Sequence, residues 1–220
     1  MSTNTPSALG ISVVTTTWNE RENIEELIRR IRAVLNGRTY EIIVVDDSSA
    51  DGTLELAKRL ADVAIGKERE GQTKGLLVGA ELSKFPVIVT IDSDLENSPE
   101  TIPALIEKLS DNDLVVASRR VLPRFSERWA AKSLGKLVGT SDFYSNLRVY
   151  KRETIVGAKL VGGETFGGEL LVIAKKHGFK IGELTYDPPA RRDKPRIGGT
   201  IKANLRIMYA TLKCWIIYWL

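Results

Sequence analysis

The chain has 220 residues and 43% hydrophobic content, enough for one domain with a buried core, which excludes fibrous and disordered classes. Its 32 Lys and Arg against 28 Asp and Glu leave a net charge of +4. That mild excess is short of a general nucleic-acid binder and suits smaller anionic partners. One cysteine, Cys214, rules out an internal disulfide or a cysteine zinc cluster and suits a reducing compartment. One histidine, His177, follows Lys175 and Lys176 and precedes Gly178, as at the last turn of a helix, so Ser-His-Asp and His-rich metal chemistry are disfavoured.

Residues 1–10 are polar and lack the basic start and apolar stretch of a signal peptide. They are expected to be a disordered lead into a cytoplasmic protein. Residues 11–17 are a β-branched run, and residues 22–35 place Ile24, Leu27, Ile28, Ile31, Val34 and Leu35 at helical spacing. The alternation continues: strand 41–46, helix 53–60, strand 86–92, helix 99–109, strand 114–118. Apolar strands alternating with amphipathic helices predict an α/β fold with a mostly parallel sheet flanked by helices. In such sheets ligands bind beyond the carboxyl ends of the strands. From residue 119 to Thr140 the chain reads as a basic, loop-rich stretch. A short strand at 147–150, a Gly-rich turn, a helix at 169–176, a strand at 180–186, a charged loop at 190–199 and a terminal helix at 200–220 follow.

The strongest chemical signal is Val87-Ile88-Val89-Thr90-Ile91-Asp92-Ser93-Asp94-Leu95-Glu96. Extended backbone would put Asp92, Asp94 and Glu96 on one side, where mutual repulsion calls for a hard divalent ion, Mg²⁺ or Mn²⁺. The competing reading is a solvated turn leading into the helix start Ser98-Pro99-Glu100. An EF-hand loop is excluded, since Asn97 and Pro103 stand where it needs glycine and glutamate. A second acidic strand end, Asp46-Asp47, sits where a nucleotide base and ribose would be read, while Asp51 is accounted for as a cap of the next helix. Neither dinucleotide-binding nor P-loop glycine patterns occur, and Gly75-Leu76-Leu77-Val78-Gly79 shows no strand before it. A nucleotide diphosphate would therefore depend on a metal held by the carboxylates.

In order, Thr16-Thr17-Trp18-Asn19-Glu20, Val45-Asp46-Asp47-Ser48-Ser49, Gly75-Leu76, Asp92-Ser93-Asp94-Leu95-Glu96, Ala117-Ser118-Arg119-Arg120, the segment 141–152 and Arg196-Ile197-Gly198-Gly199 resemble the motifs of family 2 glycosyltransferases with the Rossmann-like GT-A fold. Within that family the similarity is to the polyprenyl-phosphate hexosyltransferases, the dolichyl-phosphate mannose synthases among them, over residues 11–200. The sequence departs from the family pattern at Thr16, Trp18, Glu96 and Asn146 and in the loop 191–196.

The resemblance implies an inverting enzyme that moves a hexose from a nucleotide diphosphate sugar, GDP-mannose or a UDP-hexose, to a polyprenyl or dolichyl phosphate. It implies nucleotide-sugar contacts from Thr16, Trp18, Glu20, Asp46, Asp47 and Asp92, and a Mg²⁺ or Mn²⁺ held by Asp92, Asp94 and Glu96. Asp94, Arg119 and Arg196 are implied as catalytic, and Arg119, Asp142, Ser145 and Arg148 as contacts of the acceptor phosphate. Arg124, Arg128, Lys132 and Lys136 either share that task or form a solvated basic face.

The domain is expected to span residues 11–199, and the helix 200–220 to be amphipathic. Ile201, Leu205, Met208, Leu212, Trp215, Ile216 and Trp219 form one stripe, with Lys202, Arg206 and Lys213 on another face. This predicts a helix lying at the cytoplasmic face of a membrane; the alternatives are packing onto the domain, a homo-oligomer or a membrane partner subunit. Two other readings stand beside the lipid-linked one: a family 2 transferase with a soluble or glycan acceptor, and a non-catalytic nucleotide-sugar-binding module.

Overall fold

The computed structural model describes residues 9–188 and 200–220. Seven strands, β1 (Ile11–Thr17), β2 (Tyr40–Asp46), β3 (Val63–Gly66), β4 (Val87–Asp92), β5 (Leu114–Arg119), β6 (Arg148–Lys151) and β7 (Ile181–Tyr186), form one sheet in the order β3-β2-β1-β4-β6-β5-β7. Every neighbouring pair is parallel except those made by β6, which runs antiparallel to β4 and β5.

Strands β1, β2, β4 and β5 are buried along nearly their whole length because both faces are covered. On one face Ile11, Val13, Val44 and Val89 pack against α1 (Arg21–Val34), α2 (Thr53–Leu60) and α4 (Ile102–Lys108). On the other, Val14, Ile43, Val45, Ile88 and Val116 pack against α3 (Gln72–Leu82), the α5 (Phe125–Ala130) to α6 (Lys136–Val138) segment, α7 (Gly168–Lys176) and α8 (Thr200–Trp219).

Two expectations are corrected. A strand does precede the Gly75–Gly79 stretch: β3 is a half-buried edge strand of 4 residues, too short to show periodicity. The glycines then lie inside α3, where they serve close packing, since a Cβ at Gly79 would collide with Val14 and one at Gly75 with Thr16, both on β1. The stretch after Arg119 is also not mostly loop. Glu127 accepts the Arg124 backbone N–H at 3.1 Å, a capping contact that starts α5, and a π-helical turn at Ala131–Gly135 carries it into α6. Arg128, Lys132 and Lys136 lie on its exposed side.

The terminal helix packs against the domain and keeps an apolar face outward. Ala203, Ile207, Ala210, Thr211 and Cys214 are buried, while Ile201, Leu205, Leu212, Ile216 and Trp219 of the predicted stripe are exposed and Met208 and Trp215 are half-buried. Among the described residues no helix is long and apolar enough to cross a membrane.

Candidate active site

Register gathers the site. Thr16 pairs with Asp92 and Thr17 with Asp46, so the carboxyl ends of β1, β2 and β4 meet at one edge of the sheet. Beyond that edge opens a cavity of about 910 Å³. Thr16, Trp18, Glu20, Asp47, Asp92, Asp94, Glu96, Arg119 and Ser145 line it, and Asp46, Asp142 and Arg148 do not. Arg196 lies outside the described residues.

Of the adjacent pair, only Asp47 faces the cavity. Asp46 is 1% exposed and staples the β2 exit, accepting hydrogen bonds from Thr17 Oγ1 at 2.8 Å, Ser49 N at 2.8 Å and Ser49 Oγ at 2.6 Å. Asp47 accepts from Lys67 Nζ and from the Glu70 and Gly71 backbone N–H groups, both at 3.1 Å, and so orders the loop into α3. On that loop the Arg69 guanidinium stacks over the half-exposed Trp18 ring, 3.7 Å from its centroid. Glu20 sits at the start of α1, accepting from Asn23 Nδ2 at 2.9 Å.

The carboxylates after β4 share the cavity, but the period-two argument holds only as far as Asp92. The chain turns at Ser93, Leu95 takes φ 60°, and Asp94 accepts the Glu96 backbone N–H at 3.1 Å. Among the described residues no three His, Cys, Asp or Glu side chains converge into a ready cage for a metal ion. The three still act on one another: burial, reinforced by Asp94 and Glu96, pushes the Asp92 carboxyl up to about 7. Amide groups hold both its oxygens, Gln72 Nε2 on Oδ1 and Asn97 Nδ2 on Oδ2 at 3.1 Å.

The Asp142 carboxylate is committed to Arg119, which also lines the cavity. It accepts from Arg119 Nε at 2.6 Å, Nη2 at 3.0 Å and backbone N at 3.2 Å, with Glu127 3.6 Å from Nη2. Burial opposes the Arg119 charge, but Asp142 and then Glu127 outweigh it and hold the guanidinium above its ordinary value. Glu127 also accepts from Arg124 Nη1 at 2.8 Å, so two guanidinium groups that line the cavity share one buried carboxylate. Arg148 is fully buried and donates to the Phe143, Ser145 and Gly167 carbonyls and to Tyr150 Oη. Its guanidinium therefore fixes the 143–148 loop from beneath rather than reaching an acceptor.

Sequence reasoning missed Arg69, Gln72, Asn97, Glu164, Phe166 and Tyr209, all of which line the cavity. Gln72 lies three residues before the Gly75-Leu76 motif and Asn97 directly follows Asp92–Glu96, both usable signals; the others carry no motif. Arg206 and Lys213, read only as the basic face of α8, line the cavity as well.

The family model for glycosyl transferase family 2 matches residues 12–162, well over half of the chain. The dolichol-phosphate mannosyltransferase of Pyrococcus furiosus is 31% identical over 92% of this chain and 64% of its own length. An undecaprenyl-phosphate 4-deoxy-4-formamido-L-arabinose transferase of Pseudomonas paraeruginosa is 35% identical over 66% of this chain and 48% of its own. The chain thus spans between about half and two thirds of these curated relatives. Among solved structures, glucosyl-3-phosphoglycerate synthase of Mycobacterium tuberculosis, crystallised with Mn²⁺, UDP and glucosyl-3-phosphoglycerate, superposes with a TM-score of 0.75. It shares 24% identity and covers 94% of this chain and 80% of that one. The sheet order, the carboxylate-bearing edge and the family match agree: the chain belongs to glycosyl transferase family 2 and has the GT-A fold.

Proposed function

We propose that the chain transfers a hexose from a nucleotide diphosphate sugar to the phosphate of a polyprenyl or dolichyl lipid, with inversion at the anomeric carbon. GDP-mannose is the first donor to test and a UDP-hexose the second. The observation that carries the reading is the charge of one cavity, whose lining brings Asp47, Asp92, Asp94 and Glu96 together with Arg119, Arg124, Arg206 and Lys213, beside a helix whose outer face is apolar. A nucleotide diphosphate with its cation suits the carboxylates, and a phosphate carrying an apolar chain suits the cationic side chains. The names of the Pyrococcus and Pseudomonas relatives, both lipid-phosphate sugar transferases, support the same acceptor class.

The donor set fits a divalent ion. The ligands are hard oxygens, and the raised Asp92 carboxyl marks a carboxylate cluster that a cation would relax. Asp92, Asp94 and Glu96 would hold Mg²⁺ or Mn²⁺, which when bound neutralises charge on the departing diphosphate. In the transfer itself, an oxygen of the lipid phosphate attacks the anomeric carbon, and the bond to the nucleotide diphosphate breaks with its electron pair leaving on the diphosphate. A phosphate monoester is already anionic near neutral pH, so the attack needs no dedicated base. Arg119, locked by Asp142, and Arg124 orient that phosphate. In this reading the exposed stripe of α8 rests on a membrane surface, with the protein peripheral on the cytoplasmic face.

The test is transfer of labelled hexose from GDP-mannose, UDP-glucose and UDP-N-acetylglucosamine into organic-phase lipid with dolichyl phosphate and Mn²⁺ or Mg²⁺. Product from one donor, lost in Asp94→Ala, is expected. Donor binding with no lipid product from any polyprenyl phosphate would overturn the acceptor assignment.

A further inference from the structure

The α5–α6 segment and α8 lie side by side on one face of the sheet. Ala130, Leu134 and Val138 from the first and Cys214 from the second enter the same core layer, and Ser126 N donates to Asn204 Oδ1 at 3.0 Å. Their outer sides therefore point away from the same face of the sheet. Most of the exposed large hydrophobic side chains among the described residues fall on these two elements or on the loop entering α5. Beside the α8 stripe they include Leu137, Phe125, which is 64% exposed, and Val121, which is 74% exposed. Arg128 Nη1 donates to the Leu122 and Pro123 carbonyls at 2.9 and 3.1 Å, which fixes the loop that presents Val121.

The exposed charge on this surface has one sign. Residues 200–220 contain no Asp or Glu, and the one acid of residues 120–139, Glu127, is buried against Arg119 and Arg124. Arg128, Lys132, Lys136, Lys202 and Arg206 are exposed. Lys132 and Lys136 line no part of the cavity and have no ion-pair partner among the described residues, so a partner for their charge comes from outside. Apolar side chains flanked by unpaired cations fit a bilayer surface that carries anionic headgroups. A second copy of the chain fits poorly, because a twofold contact through this face sets the same cations against one another. Val121 and Tyr209, both exposed, also line the cavity, so its rim on this side belongs to the same surface. We propose that the α5–α6 segment and α8 together form a docking surface for an anionic bilayer, which seats the cavity rim in the headgroup layer. This rests on the membrane-facing role proposed for α8 and adds to it a second element and the charge of the lipid.

Co-sedimentation with vesicles of phosphatidylcholine alone, or of equal parts phosphatidylcholine and phosphatidylglycerol, tests it on the wild type, Phe125→Ser and Lys132→Gln/Lys136→Gln. The control is Lys58→Gln/Arg59→Gln, at exposed positions of α2 on the opposite face of the sheet. Each cation near an anionic surface strengthens binding about fivefold, so the wild type is expected to bind the anionic vesicles at least about tenfold more tightly, by a margin that shrinks in high salt. Lys132→Gln/Lys136→Gln should weaken anionic binding about tenfold or more and leave neutral binding within about twofold. Phe125→Ser should weaken both about tenfold, and the α2 control neither. All the substituted side chains are exposed, so Tm is expected to hold. Equal binding of the wild type to the two vesicles, wild-type binding by either Phe125→Ser or the double lysine variant, or a dimer in sedimentation velocity that Phe125→Ser dissociates overturns the inference. Anionic binding as expected, with no sugar transferred to any polyprenyl phosphate, supports the inference while overturning the acceptor assignment. Transfer to detergent-dispersed dolichyl phosphate by a protein that binds neither vesicle does the reverse.

Discussion

The Arg119 and Asp142 pair gives the sharpest test of how this site is held. Asn at position 142 keeps the shape of the side chain but turns an N–H toward a guanidinium that now meets two carboxylate oxygens, at 2.6 Å from Nε and 3.0 Å from Nη2. Charge-assisted hydrogen bonds contribute about 1.5–3 kcal/mol each, and removing one partner of a buried pair costs about 3–5 kcal/mol. Arg119 keeps Glu127 at 3.6 Å and a side-chain exposure of 16%, so water and the second carboxylate offset part of the loss. Asp142→Asn should therefore destabilise the fold near the lower bound, by about 3 kcal/mol. In a chain of this length that lowers Tm by roughly 6–12 °C.

Thermal and urea unfolding of Asp142→Asn, Arg119→Met and the double variant close the cycle. Most of the Asp142→Asn penalty is an uncompensated guanidinium, which Arg119→Met removes. The double variant is thus expected to be more stable than the sum of the singles by about 2 kcal/mol. Strictly additive effects, or an Asp142→Asn protein within about 0.5 kcal/mol of wild type, would refute the assignment of Asp142 as the counterion that positions Arg119.

Further predictions concern the scaffold. Gly79→Ala is expected to cost about 1–3 kcal/mol in urea unfolding despite alanine's better helix propensity, because the new methyl group meets Val14. At the surface, the Arg30 hydrogen bond and charge hold the Glu100 carboxyl down to about 2 from an ordinary 4.5. A depressed carboxyl stabilises above its unfolded value and loses that contribution as pH falls, here between about 4.5 and about 2. Glu100→Gln should flatten this part of the acid limb by less than about 1 kcal/mol, since the Glu100 side chain is 52% exposed. Burial pushes the Cys214 thiol up to about 12, so the native protein should resist iodoacetamide at pH ~8 and react once unfolded. Rapid native labelling would show that α8 opens from the domain.

The sheet was legible wherever burial on both faces made a strand apolar throughout, as in β1, β2, β4 and β5. It was illegible at β3, a half-buried edge of 4 residues. The next helix, α3, hid for the opposite reason. Its glycines look like helix breakers, and only their contact with Val14 and Thr16 explains them. Motifs located the cavity edge because the carboxyl ends of adjacent parallel strands must converge, which is why Thr16, Asp47 and Asp92 were found.

What the motifs could not say is whether a charge at that edge faces a ligand or another charge. Asp46 and Asp47 are neighbours in the chain, yet one is a loop staple and the other lines the cavity. Asp142 answers Arg119 across 23 residues, and Glu164 answers Thr73 across 91. Arg148 spends its charge on carbonyls of its own loop and of Gly167. Partners so far apart leave no local pattern. The residues that orient a substrate are the ones whose role depends most on such partners, so their identity becomes readable only when the fold has set which buried polar atoms are satisfied and which are not.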